Sequence, residues 1–307
     1  MFRATLLFAC LAASLAVLGG GCAPPAPEPA PRAAGAKPRV YAPNPALASM
    51  IRELAGDEIE LVAPWQGGGD PAFWRPSADA VREIQSCDLI VLNGAAYEQW
   101  AAQAALPRAR TIDTTAGVRS KLIEVEGEVH SHGPEGEHSH SSIASTTWLS
   151  PELAKAQADA VAERLARLLP ERAAVIDERR RTLDASLAEI AAELARLKSL
   201  EPKWLASHPV YQYLGQASGI EIESVHWEPG EMPSDKEWTK FRLTRAAFPR
   251  PAAWMLWEGE PGPEIRAQLE KDGVRVAIVP LFPDSDGGFA RSYAKLLGRL
   301  NAELERR

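Results

Sequence analysis

Between Glu171 and Leu200 apolar residues recur at Ile176, Leu183, Leu187, Ile190, Leu194 and Leu197, in steps of three, four and seven, with charges between them. That spacing lays one apolar stripe along a single helix of roughly eight turns. A helix so long and so one-sided must be covered along its whole length, so it has to lie between other layers of the fold.

Short apolar runs alternate with helical patterns on both sides of it. Upstream come Val40-Tyr41-Ala42, a helix around Ala46 to Leu54, Ile59 to Ala63, a helix from Ala78 to Gln85 and Leu89 to Leu92. Ser150 as N-cap, with Pro151 at the first helical position, starts a helix running to about Leu169, and Pro170 breaks it. Downstream come Trp204-Leu205-Ala206, a helix to Ser218, Ile220 to Ser224, a helix capped by Ser234 with Glu237 three residues on, Ala252 to Trp257, a helix to Lys271, Val274 to Val279, and a last helix from Phe289 to Glu305. Such alternation predicts α/β architecture: two lobes with parallel-type sheets, joined by the long helix and enclosing a ligand cleft. The N-terminal lobe is expected over 39–169, the linking helix over 170–200 and the C-terminal lobe over 201–307.

The first residues read as an address. Arg3, an apolar run from Ala4 to Leu18, and Gly19-Gly20-Gly21 before Cys22 fit a secretory signal removed over 1–21. Fifteen apolar residues fall short of the roughly 20 needed to cross a bilayer. Residues 22–38 hold six prolines and almost nothing able to form a core, so they read as an extended spacer. The formal net charge of −7 becomes more negative by one when Arg3 leaves, and no basic run suits a nucleic acid. Cys10 leaves with the signal and a modified Cys22 is spent, so Cys87 stands alone as a small buried residue and no internal disulfide is expected.

Glycine-rich phosphate loops, GxSxG elbows and HExxH pairs are all absent from the sequence. Four of the six histidines crowd into the segment 129–142, at His130, His132, His138 and His140. Neutral imidazole is the commonest zinc ligand, and two His-x-His pairs on a Gly/Ser/Glu loop can converge on one ion; the alternative is a solvated polar loop. His208 follows a predicted strand, where α/β folds place ligands. His226 follows another, and Glu258 a third.

Asp70-Pro71-Ala72-Phe73-Trp74-Arg75-Pro76-Ser77, Thr146-Thr147-Trp148-Leu149-Ser150-Pro151, Ser207-His208 with Tyr211 and Tyr213, Gly230-Glu231-Met232-Pro233-Ser234 and Leu281-Phe282-Pro283-Asp284 stand in the order seen in one family. They resemble the zinc- and manganese-type (cluster A-I) solute-binding lipoproteins of ABC importers. The resemblance implies a monomeric exported protein lipidated at Cys22, presenting a divalent metal, zinc for preference, to a membrane permease without catalysis. It implies His208 and Asp284 as metal ligands. At the family's first two histidine positions this chain carries Ala72 and Thr146, and neither a methyl group nor a neutral hydroxyl replaces imidazole. His226, Glu228, Glu231, Glu258 or the loop histidines are the residues able to rebuild the coordination sphere. The other course is the same fold with an altered cleft, holding a non-metal solute or acting in envelope interactions. Trp65, Trp74, Trp148, Trp227 and Trp257 either line that cleft or pack the lobes together. A hydrolase using Glu258 and Asp284 as paired carboxylates is the remaining, weaker reading.

Overall fold

A computed structural model describes residues 35–65, 72, 74–126, 130–131, 137–138, 141–197, 203–227, 231–248, 253–281 and 288–305. The expected signal, Cys22 and the spacer lie almost wholly outside them, as do His132, His140, Glu228 and Asp284.

The N-terminal lobe runs β1 (Arg39–Tyr41), α1 (Pro45–Ala55), β2 (Glu60–Val62), α2 (Ala78–Gln85), β3 (Leu89–Leu92) and β4 (Thr111–Asp113). Beyond β4 come β5 (Glu124–Glu126), β6 (His130–Ser131), β7 (Glu137–His138), β8 (Ser141–Ile143) and α3 (Pro151–Leu168). After α4 (Ala173–Leu197) the second lobe follows with β9 (Lys203–Ala206), α5 (Gln212–Ser218), β10 (Glu221–Ser224), α6 (Asp235–Ala246), β11 (Ala253–Trp257), α7 (Pro263–Lys271), β12 (Val274–Ile278) and α8 (Phe289–Glu305). Each lobe is a parallel four-stranded sheet, ordered β2-β1-β3-β4 in the first and β10-β9-β11-β12 in the second. Both therefore share one topology, with the strand order reversing beside β1 and beside β9.

Both sheets are covered on two faces, so their strands read as near-continuous apolar runs with the period of two hidden inside. In β1 and β3, Val40, Leu89 and Val91 enter the main core while Tyr41 and Ile90 face a smaller cluster with Val62, Ile84 and Cys87. In the second lobe Trp204, Ala206, Trp254 and Leu256 enter the same main core, and Leu205, Met255 and Trp257 point to the opposite cluster. One apolar core thus spans both lobes. At its centre lies α4, whose Ile176, Leu183, Leu187, Ile190, Leu194 and Leu197 are all buried. Its solvent side carries ion pairs: Arg180 with Asp177, Asp159 and Asp184, and Lys155 of α3 with Asp159 and Asp184.

Local signals hold closely. The Ser150 side chain accepts from Leu153 N–H and Ser234 with Glu237 forms a complete capping box, as expected; Asn44, which accepts from Leu47 N–H, is a further cap that the sequence pattern did not single out. The helical pattern from Glu171 divides into a 3₁₀ turn over Pro170–Arg172 and then α4, because a chain entering through Pro170 first closes a tighter turn. Strand β4 and the antiparallel pairs β5–β8 and β6–β7 carry no readable alternation over two or three residues each.

Replacing Leu187 by Ala should cost about 2–5 kcal/mol, since the shared layer cannot collapse around the cavity. The exposed Leu243→Ser on α6 should change stability by less than about 0.5 kcal/mol. The displacement of the urea unfolding midpoint measures both.

Candidate metal centre

The carboxyl ends of the two sheets face each other across a seam. On the first lobe the loop after β3 begins with Asn93, buried, whose amide donates to Ser145 O at 3.0 Å while its Oδ1 accepts from Thr147 Oγ1 at 3.2 Å and from Gln157 Nε2 at 3.0 Å. Gln157 also donates to Thr114 Oγ1, and that hydroxyl donates to Asn93 O. This buried network fixes the turn Ser145-Thr146-Thr147. Thr146, only 4% exposed, then points its hydroxyl across the seam and donates to Val210 O at 2.5 Å. Further bonds cross the same boundary: Trp148 Nε1 to Leu281 O at 2.9 Å, Tyr293 Oη to Leu149 O at 2.6 Å, and Tyr213 Oη to Ala144 O at 3.0 Å.

Glu98 belongs to the first lobe's loop. Its carboxylate accepts from Asn93 N at 2.6 Å and Gly94 N at 3.3 Å. Burial nevertheless pushes this carboxyl up to about 8, with the backbone N–H groups of Asn93, Gly94 and Glu98 opposing and Asp113 raising it further. Gly94 permits the turn: its φ is +78°, and a Cβ there would lie 1.9 Å from an Asp113 carboxylate oxygen. Neither the Asn93 network nor Glu98 was expected from the sequence, which shows only two separated polar residues, Asn93 and Glu98, after the apolar strand Leu89–Leu92.

Of the expected ligands, two come together. His208, partly buried, follows β9, and His226, exposed, follows β10, with ring centroids 6.0 Å apart at an interplanar angle of 65°. Glu258 follows β11 close enough for its charge to raise the Tyr211 hydroxyl further, beyond the rise that burial causes. Tyr211 Oη itself donates to Val279 O. Among the described residues no group of three or more His, Cys, Asp or Glu is placed to hold a metal. The backbone register of β6 and β7 sets His130 opposite His138.

Ala72 stands at a groove of about 790 Å³ lined by Trp74, Trp100, Arg75, Arg82 and Gln103. The tryptophans divide accordingly. Trp148, Trp227 and Trp257 are core residues, Trp227 packing on Trp238 and Phe241, while Trp74 stays at the groove, edge-on to Trp100. Cys87 is buried, and its thiol donates to Glu83 O at 3.6 Å.

Two parallel α/β lobes of one topology, braced by a long helix and meeting at the carboxyl ends of their strands, define a two-lobed solute-binding protein. The chain belongs to the family described as zinc-uptake complex component A, periplasmic (ZnuA), whose model matches residues 40–244. It is 25% identical over 251 residues to the zinc-binding lipoprotein AdcA of Streptococcus pneumoniae, covering 75% of this chain and 47% of that protein. It therefore spans about half the length of the curated relatives it matches. Among solved structures, the metal-dependent lipoprotein YcdH from Bacillus subtilis superposes with a TM-score of 0.72 at 16% identity, over 87% of this chain and 99% of that one. The Zn(II)-bound ZnuA-like domain of S. pneumoniae AdcA superposes with a TM-score of 0.70 at 17% identity, over 88% and 100%. At these identities the likeness is one of fold. No described helix is long and apolar enough to cross a membrane.

The Glu98 carboxyl titrates in the folded chain above its ordinary 4.5, so the stability it contributes is present below that value and is lost as pH rises towards about 8. Stability measured by urea unfolding should therefore fall between these limits. Glu98→Gln should flatten the fall, and an unchanged slope would remove Glu98 as its cause.

Proposed function

We propose that the chain is the extracytoplasmic solute-binding component of a metal ABC importer, with zinc as cargo. The observation that carries this reading is family membership together with His208 at the end of β9, where the strand order reverses and α/β sheets bind ligands. Asp284 is assigned as a second ligand of the cleft and Glu258 as a further donor, with the loop histidines 130, 132, 138 and 140 as a capture site. The chemistry is reversible coordination of an ion with no covalent change in it or in the chain, so no enzymatic role is assigned. Cys22 carries the lipid anchor, the 22–38 spacer gives the body reach, and the monomer delivers its ion to a membrane permease.

A second reading follows from Thr146 and Ala72. The Thr146 hydroxyl is engaged with Val210 O, and Ala72 stands beside an aromatic groove suited to an organic solute. One calorimetric series separates the two. If zinc is the cargo, the mature chain takes up zinc saturably, and Ala72→His with Thr146→His tightens uptake about tenfold or more by adding imidazole donors. No uptake by the mature chain even at high micromolar zinc, with binding created only by the two substitutions, establishes the second reading. Cys22→Ser should move the protein from the membrane to the soluble fraction; retention in the membrane would refute the anchor.

A further inference from the structure

The first lobe supplies no imidazole through Ala72 or Thr146, whereas the second brings two side by side. The pairing of β9 with β10 sets Ser224 opposite Ala206 and continues past both strand ends, with Val225 N donating to Ala206 O at 2.9 Å and Trp227 N to Ser207 O at 2.8 Å. Two residues beyond Ser224 and Ala206 stand His226 and His208. Side-chain alternation sends Val225 and Trp227 into the cluster on the far face with Leu205, and so turns His226 to the face that Ala206 and His208 share. Neighbouring strands lie about 4.8 Å apart. Two imidazoles bound to one tetrahedral ion through metal–nitrogen bonds of about 2.0–2.1 Å hold their centroids roughly 5–6 Å apart, so the observed 6.0 Å needs only a small ring adjustment. His226 is exposed, so it can turn without disturbing the core.

We propose that His208 and His226 form a two-imidazole chelate for a divalent cation, the second imidazole coming from the adjacent strand of the same lobe instead of from the opposite lobe. This deepens the metal-cargo reading and rests on it. A pair of imidazoles selects zinc, nickel or copper over magnesium, calcium or manganese, which prefer oxygen donors. Since both ligands stand on one sheet, capture does not wait on movement of the first lobe.

The test uses the full mature chain with His130, His132, His138 and His140 all replaced by Ala, so that the loop contributes nothing. Zinc chloride is titrated by calorimetry, and cobalt(II) absorption reports the donor set. His226→Ala and His208→Ala should each weaken zinc binding by at least about tenfold, since losing even an outer-shell partner of a ligand costs 10–100-fold. Each should also shift and weaken the cobalt d–d bands, which a merely structural change would leave alone. His226→Ala with unchanged affinity and spectrum, while His208→Ala loses both, overturns the pair and leaves the metal-cargo reading standing. Unchanged binding in both variants also overturns the pair. No zinc or cobalt binding by this parent overturns the pair, and the same failure in the mature chain with its loop histidines intact overturns the cargo reading as well.

Discussion

The apolar stripe of α4 is the contact on which everything else leans. Its six buried residues fill a layer reached from one side by α1 and α3 of the first lobe and from the other by α5 and α8 of the second. Because one close-packed layer serves both lobes, neither can shift without opening voids along the helix. The seam repeats the constraint in polar form. Trp148, Tyr213 and Tyr293 each carry a buried N–H or O–H across it, and each needs its carbonyl partner on the far side. The lobes are thus held in one register by packing below and hydrogen bonding above.

Within that frame, the threonine at position 146 changes what joins the lobes. The Asn93–Gln157–Thr114 network holds its turn rigid, and the hydroxyl closes on a backbone carbonyl two residues beyond His208. A neutral hydrogen bond makes a junction that needs no ion. On the second lobe, His208, His226 and Glu258 follow the carboxyl ends of β9, β10 and β11.

Much of this was written locally. The caps at Ser150 and Ser234, the bounds of α2, β3 and α8, and all six buried positions of α4 follow from short-range spacing and capping chemistry. Short or polar pieces did not announce themselves: β4 reads Thr-Ile-Asp, too brief for alternation to rise above composition. Asn93, Gln157 and Glu98 were equally silent, since a polar residue becomes structural only when distant partners surround it.

From the sequence alone came the α/β class, the two-lobed division about a long helix, and the place of His208 just beyond a strand end, because each depends on periodicity or on motifs read in order. Tertiary structure decided the company His208 keeps. His226 lies 18 positions away along the chain and becomes its neighbour only through the parallel pairing of β9 with β10. It decided likewise that Trp148, Trp227 and Trp257 are core and that the Thr146 hydroxyl is spent on Val210, because burial and hydrogen-bond partners are properties of packed neighbours and not of local order.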